Sequence, residues 1–413
     1  MEKWKDKIVQ LLRSSEKYTE TDMVYATKGS FWILAGRAAV FAIAFIKIIV
    51  LGRFLPQEEY GIYTFILSMV GILAIFSLPG INASLIRAIA RKKEGTLKAS
   101  AKERLKFSLI GSFASLSAAA WYFYNQNFLL ATAFLVVALL LPFSHAFSIF
   151  PSFWRGRKDF RKSSGYEVFA ALLVALVTIP TIILTDNPVL IIAALFGSQS
   201  LFYGIFLFKT YRQRRNDEIL PQSINFGKSL SVMQAATLFV DNLDKIIIWK
   251  LFGPAFLAIY AFAQLPIEKI KAAIPIIPLA LPKMGEKDIG EMKEGILKKF
   301  QKLFFISVPL TLFAILLAPL FYRIILPQYV DSVPYFQAFS LLLLFSPFLL
   351  LDAALVSEMR KKELYVVKIG APLFRILLFL VLIPLFQIWG VIAAIIVSRL
   401  AEGIATFYFF RRL

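Results

Sequence analysis

Three charged residues, Asp241, Asp244 and Lys245, lie together inside one of the long apolar segments of the chain. On a helix, residues three or four positions apart share one face, so these side chains are expected side by side. A charge at mid-membrane costs at least about 2.5 to 3.5 kcal/mol and usually faces a partner or a water-filled cavity. The spacing therefore predicts either an Asp241–Lys245 ion pair that only permits insertion, or one wall of a polar cavity.

Deep charges also occur in other apolar segments, at Arg37, Glu268, Arg399 and Glu402. Arg399 and Glu402 are three residues apart and can neutralise each other in the same way. Arg37 lies in the first segment of the chain, and the Asp241 cluster lies in the first segment of its second half. With Arg399 in the last segment, this distribution favours a central polar cavity between two helix bundles over separate ion pairs.

The composition argues against several other kinds of chemistry. The chain has no Cys, which excludes thiol, disulfide and metal-thiolate sites. Its single His, His145, is flanked by Phe143 and Phe147, a setting typical of a packed core. No Gly-x-x-x-x-Gly-Lys-Ser/Thr loop is present for binding ATP. We therefore expect no catalytic residues, no metal, no cofactor and no direct use of ATP.

The elements that must hold these charges are membrane-spanning helices. Hydrophobic residues make up 59% of the chain and include 41 Phe, more than a soluble domain buries. At about 20 apolar residues per span, the sequence predicts twelve transmembrane helices. Lys and Arg are concentrated in every second gap, which predicts that these gaps and both termini are cytoplasmic. The net charge of +20 follows from this topology, so we expect a multi-pass protein of the cytoplasmic (inner) membrane that contacts lipids and not nucleic acid.

An internal repeat predicts how the helices are arranged. The pattern Ile-Tyr-x-Phe follows a tight turn at residues 62–65 and again at residues 259–262, about half a chain later. The sequence thus predicts an all-α polytopic fold of two six-helix bundles, related by a pseudo-twofold axis along the membrane normal. The predicted parts are a cytoplasmic N-terminal segment at 1–28, either an interfacial helix or a frayed tail, bundles at 29–208 and 229–413, and a cytoplasmic linker at 209–228.

Four stretches carry a resemblance to a known family, and they lie at residues 51–63, 80–87, 242–263 and 276–283. The stretches at 51–63 and 242–263 resemble the first hairpin and the seventh-to-eighth helix hairpin of polysaccharide and O-antigen flippases, and those at 80–87 and 276–283 resemble the ends of the second and eighth helices. These flippases belong to the multidrug, oligosaccharidyl-lipid and polysaccharide exporter superfamily. Two positions depart from the family pattern, since Ala258 and Pro327 stand where Gly is common. Both departures lie outside the predicted cavity.

The resemblance implies flipping of a polyprenyl-pyrophosphate-linked oligosaccharide from the cytoplasmic to the outer leaflet by alternating access. A pyrophosphate needs cationic partners, and Arg offers phosphate oxygens a bidentate fork where Lys offers a point charge. The candidate substrate-binding cations are Arg37, Lys245, Arg375 and Arg399. The candidate residues for charge balance or for coupling to a proton or another cation are Asp241, Asp244, Glu268 and Glu402. A polysaccharide polymerase and glycosyltransferases are further candidate partners.

Two other functions remain open from the sequence. A multidrug antiporter of the same fold calls for acidic, aromatic-lined sites, whereas the predicted spans of this chain contain more Lys and Arg than Asp and Glu. A membrane enzyme of polysaccharide assembly would gather side chains outside the membrane, where the predicted loops are short. The energy source is also open between an ion gradient, the membrane potential and passive exchange.

Overall fold

The computed structural model describes residues 23–273, 289–357 and 360–412, and these residues form helices and short connections without any β-strand. The predicted helix in the N-terminal segment and the stretch at 276–283 lie outside the described residues. The α-helices are α1 (Met23–Phe54), α2 (Gln57–Leu73), α3 (Ile81–Ala90), α4 (Thr96–Tyr124), α5 (Phe128–Phe147), α6 (Phe150–Gly156), α7 (Phe160–Leu184), α8 (Pro188–Arg212), α9 (Pro221–Ala273), α10 (Ile289–Ile325), α11 (Val333–Ser340), α12 (Phe348–Ser357), α13 (Lys361–Tyr365) and α14 (Ala371–Arg411).

Many of these helices are long and apolar enough to cross a membrane. The described residues contain eight such helices, or nine if the bent pair at residues 327–355 forms one span. Helices end at Phe54, Tyr124 and Leu184, each just before a short gap that contains no Lys or Arg. The protein is therefore a multi-pass membrane protein.

Two of the helices are too long for one crossing, and each folds back on itself. In α9, the Gln264 side chain donates to Asp244 at 3.3 Å although the residues are 20 positions apart, a separation of about 30 Å in a straight helix. The turn falls at Gly253, whose φ of 82° favours glycine. In α14, Arg375 donates to Ser398 at 3.0 Å across a break at Gln387. Each helix thus brings two antiparallel arms together.

The two halves of the chain meet where α2 and α3 pack antiparallel to the first arm of α9. At one end, a Cβ added to Gly61 would overlap the carbonyl oxygen of Pro254, so only glycine allows this contact. At the other end, the Gly80 amide donates to Ser231 Oγ at 3.0 Å. The halves are therefore closed against each other along this seam.

Side-chain contacts reinforce the end of the seam near Gly61. Arg53 donates to the carbonyl oxygens of Ile324 and Ile325 at 2.9 and 3.0 Å. Gln57 donates to the carbonyl of Gln328. These bonds tie the α1–α2 turn to the end of α10.

The basic loops gather at the opposite end, where they hold the segment between α8 and α9. Arg157 donates to both oxygens of the buried Glu94 at 2.8 and 2.6 Å, and the Arg215 amide also donates to Glu94 at 2.6 Å. Burial opposes ionisation of this carboxyl, but the bonds from Arg157 and Arg215 prevail and lower the pKa of Glu94. Lys228 pairs with Glu103 at 2.5 Å across the seam. Three of the loops predicted to be cytoplasmic, those that contain Glu94, Arg157 and Arg215, thus share one face.

Candidate functional site

A polar cavity of about 260 Å³ lies within the second half of the protein. Its lining combines carboxylates, cations and a few apolar side chains. The lining residues are Asp241, Asp244, Gln264, Ile267, Glu268, Lys271, Leu342, Arg375, Ile395 and Arg399. The sequence predicts a polar cavity between two bundles, whereas this one is enclosed by α9, α14 and the residues around Leu342. The closed seam between α2 and α9 accounts for the difference.

Asp241 lies at the centre of the charge network. Its Oδ1 accepts a hydrogen bond from Arg375 Nη1 at 2.7 Å and one from Arg399 Nη2 at 3.3 Å. The Arg375 side chain is only 5% exposed, but those of Arg399 and Asp241 are 29% and 38% exposed. Both arms of α14 therefore contribute an arginine to one carboxylate that remains accessible from the cavity.

The network extends from Arg399 to the start of α14. Arg399 Nη1 donates to Glu402 at 2.8 Å, and the other oxygen of Glu402 lies 3.6 Å from Lys368 Nζ. Lys368 also donates to Asp352 at 2.9 Å, from a π-helical turn at Val366–Gly370. Such turns are frequent at functional sites. Cations and carboxylates thus alternate along one chain of contacts, in the order Asp352, Lys368, Glu402, Arg399 and Asp241.

A second network surrounds Asp244, whose side chain is buried. Asp244 Oδ2 accepts from Tyr260 at 2.6 Å and from Gln264 at 3.3 Å. Lys245 Nζ lies 3.5 Å from Asp244 Oδ1 and 3.4 Å from the backbone carbonyl of Asp241. Lys245 therefore pairs with Asp244, while the carboxylate of Asp241 pairs with the two arginines. The sequence-based pairing of Asp241 with Lys245 is replaced by this arrangement.

Glu268 and Lys271 also line the cavity, on the second arm of α9. Within the described ranges, neither side chain makes a hydrogen bond or an ion pair with another residue. Gln264 Oε1, one turn away, is a buried acceptor without a hydrogen-bond donor in the same ranges. These three residues follow one another at helical spacing along one face.

Arg37 lies apart from the cavity. It is on α1 next to Gly36, where an added Cβ would lie 2.6 Å from the Cβ of Ser164 on α7. The nearby charges are those of Arg155 and Glu167. Of the four predicted cations, Arg375 and Arg399 line the cavity. Lys245 pairs with Asp244 and is not part of the lining, and Arg37 lies on α1 in the first half of the chain. Its predicted contact with substrate remains a prediction.

Sequence reasoning gave no site role to Lys271 or to Lys368. Both lie close to the basic gaps that end their spans, where a positive charge is already explained by topology. For Lys271 a signal was present, because Gln264, Glu268 and Lys271 recur at the helical spacing of i, i+4 and i+7. No comparable pattern indicated Lys368.

Comparison with known proteins places this geometry in context. The profile of the family described as polysaccharide biosynthesis protein matches residues 50–334. The comparison with curated proteins gave no match.

Several solved structures share the fold over nearly the whole chain. An outward-facing multidrug resistance MATE family transporter of the MOP superfamily has 15% identity and a TM-score of 0.69, with 93% of this chain and 95% of that chain covered. The lipid II flippase MurJ in an inward closed conformation has 11% identity and a TM-score of 0.69, with coverage of 93% and 87%. A MOP superfamily transporter from Pyrococcus furiosus, whose binding pocket is described as having reverse polarity, has 16% identity and a TM-score of 0.63, with coverage of 93% and 95%. At these identities the likeness shows the fold alone.

Proposed function

Because the chain belongs to the polysaccharide biosynthesis protein family, we propose that it flips a polyprenyl-pyrophosphate-linked oligosaccharide from the cytoplasmic to the outer leaflet. The fold shared with a lipid II flippase supports a lipid-linked substrate. We further propose that the protein acts as a transporter and not as an enzyme, in the inner membrane with both termini in the cytoplasm. A polymerase or glycosyltransferases are proposed partners.

The charge balance of the cavity is the observation that carries this proposal. Three lining residues are acidic, Asp241, Asp244 and Glu268, and three are basic. The cavity lining therefore has no formal net charge, and its arginines are bound by a carboxylate of the protein itself. A pyrophosphate offers several oxygens in a geometry that guanidinium groups bind well. We propose that it displaces Asp241 from Arg375 and Arg399.

In this scheme Asp241 resets the site after transport. When the substrate leaves toward the outer leaflet, Asp241 rebinds the two arginines and returns the site to its substrate-free arrangement. Asp244 and Glu402 keep Lys245 and Arg399 neutralised inside the membrane, which lowers the cost of burying these cations. Coupling to a proton or another cation through Asp241, Asp244, Glu268 or Glu402 remains part of the proposal.

Alternating access would require the seam between α2 and α9 to open at one end at a time. We propose that the contact of Gly61 with Pro254 closes the outer end, and that the bonds around Gly80 and Glu94 close the cytoplasmic end. The structure, with both ends closed, then corresponds to an occluded state. Arg37, on the first helix of the other half, is proposed to meet the substrate only after the seam opens.

We also propose that the fold has twelve spans in two bundles at 29–208 and 229–413, joined by a linker at 209–228. The two arms of α9 and the two arms of α14 would each cross the membrane once. The bent pair at residues 327–355 and the less apolar helix α4 would provide the remaining crossings.

A multidrug antiporter is the second candidate, favoured by the fold shared with a MATE transporter and by the carboxylates of the cavity. The two functions make opposite demands on Asp241. An organic cation would bind to this carboxylate, whereas a pyrophosphate would compete with it. Neutralising Asp241 should therefore weaken binding of a quaternary ammonium dye but strengthen binding of a pyrophosphate lipid.

The test in cells is deletion of the gene, followed by measurement of lipid-linked oligosaccharide in each leaflet. We expect the glycolipid to accumulate in the inner leaflet and to return to normal on re-expression of the wild-type chain. An unchanged distribution with a loss of resistance to organic cations would favour the antiporter instead.

A further inference from the structure

The second arm of α9 presents a row of polar side chains that retain unused hydrogen-bonding groups. Gln264, Glu268 and Lys271 line the cavity at helical spacing, on the wall that does not carry the arginines. Glu268 is exposed and Lys271 partly buried, and neither has a hydrogen-bond or ion-pair partner in the described part of the chain. We call these three residues the α9 row.

In Gln264, the unused hydrogen-bonding group is the side-chain oxygen Oε1. Its Nε2 donates to Asp244 Oδ2, an acceptor with no proton of its own when ionised, so Oε1 points away from that carboxylate. Oε1 is buried and has no donor among the described residues. A buried acceptor left without a donor costs about 1 to 3 kcal/mol, and intramembrane charges carry a further cost. These costs are relieved if a bound molecule supplies the partners.

The chemistry of the α9 row fits a polyhydroxylated ligand. Glu268 and Gln264 Oε1 accept hydrogen bonds, while Lys271 donates up to three. Each sugar hydroxyl can donate one bond and accept others, so a single sugar ring can satisfy acceptors and donor together. Phosphate oxygens, which only accept, would use Lys271 and leave Glu268 and Gln264 unpaired.

We propose that the α9 row binds the sugar next to the pyrophosphate, while Arg375 and Arg399 on α14 bind the pyrophosphate itself. This inference rests on the proposed flippase function and adds that the cavity recognises glycosylated lipid over bare lipid. The two arginines would thus bind the anionic part of the head group, and the α9 row would bind its neutral sugar.

The experiment measures binding of three probes to the purified full-length protein in nanodiscs. The probes are undecaprenyl pyrophosphate and the same lipid carrying either glucose or N-acetylglucosamine. The variants are Glu268→Ala, Gln264→Leu and Arg399→Gln. Glu294→Ala is the matched control, because Glu294 is 81% exposed and, among the residues that the structure describes, pairs only with Lys298 one turn away. Thermal unfolding of each variant confirms that it is folded.

We expect the wild-type protein to bind at least one glycosylated probe more tightly than the bare lipid. Glu268→Ala and Gln264→Leu should weaken glycolipid binding by about five- to tenfold, corresponding to about one or two lost hydrogen bonds, without changing the affinity for bare lipid. Glu294→Ala should behave as the wild type. No preference for either sugar, or an equal loss for all probes in Glu268→Ala, would overturn the inference.

The same data separate this inference from the proposed function. If Arg399→Gln weakens all three probes while the α9 row variants have no effect, the pyrophosphate site stands and the sugar site is wrong. If Arg399→Gln changes none of the affinities, the proposed function loses its anion site.

Discussion

Replacement of Asp241 by Asn should make the protein bind its anionic substrate more tightly. The substitution keeps the size of the side chain but removes the charge that holds Arg375 and Arg399 at 2.7 and 3.3 Å. Hydrogen bonds to charged groups contribute about 1.5 to 3 kcal/mol each, so relief from one such competitor corresponds to about a 10- to 150-fold gain in affinity. Turnover should fall, because the residue that reclaims the arginines is lost.

If Asp241 has only a structural role, Asp241→Asn should instead destabilise the fold and should not tighten substrate binding. Breaking a fully buried ion pair costs about 3 to 5 kcal/mol, and the loss here should be smaller because the side chains of Asp241 and Arg399 are 38% and 29% exposed. The assay measures binding of undecaprenyl pyrophosphate in nanodiscs beside thermal unfolding. Asp159→Asn is the matched control, since Asp159 contacts Lys162 at the start of α7, away from the cavity lining and from this charge network. A folded Asp241→Asn protein with unchanged or weaker binding would refute the competition between Asp241 and substrate.

Three further predictions concern topology, the seam and the linker. In this Cys-free chain, Lys158→Cys should react with an impermeant thiol reagent only after permeabilisation and Asn125→Cys in intact cells, and the reverse pattern would invert the orientation. Gly61→Val should lower thermal stability because its side chain overlaps the backbone of α9, whereas Gly165→Val, where an added Cβ meets nothing within 4 Å, should have little effect. Equal losses in the two variants would contradict the close seam. Because its native pKa is lowered, Glu94 stabilises the fold above its ordinary pKa of 4.5, and this contribution is lost as pH falls through the lowered value. Glu94→Gln should therefore reduce stability at neutral pH and lessen the decline in acid, and identical acid profiles for the variant and the wild type would count against the linker contact.

The helical elements and the deep charges could be predicted from the sequence. Gly253 with Pro254, and the polar Gln387, interrupt long apolar stretches of the sequence, and α9 and α14 turn at these positions. Such turns are predictable because hydropathy and turn-forming residues are local properties. Deep charges are also local features, since each stands out against an apolar background. Arg375 and Arg399 were thus identified from the sequence as cations inside the membrane.

The pairing of these charges could not be predicted. Asp241 and Lys245 are four residues apart, the spacing of a helical ion pair, yet the carboxylate of Asp241 is bound by arginines 134 and 158 positions away. Arg37 shows the same limitation. Its position within an apolar segment indicates that it lies deep in the membrane, but not which helix packs against it. The cavity lies within the second half because the two halves are closed against each other at the seam between α2 and α9. This seam depends on the close contact at Gly61, which the sequence does not reveal.

Reconstitution of the purified protein in liposomes tests the central claim most directly. The liposomes carry a fluorescent undecaprenyl-pyrophosphate-linked oligosaccharide in both leaflets, and the fraction open to an impermeant quencher is followed over time. We predict that wild-type protein makes nearly all of the probe accessible, that Arg399→Gln slows this exchange strongly, and that Glu294→Ala does not. Exchange no faster than in protein-free liposomes, both without and with an imposed ion gradient or membrane potential, would contradict the account, as would equal rates for Arg399→Gln and the wild type.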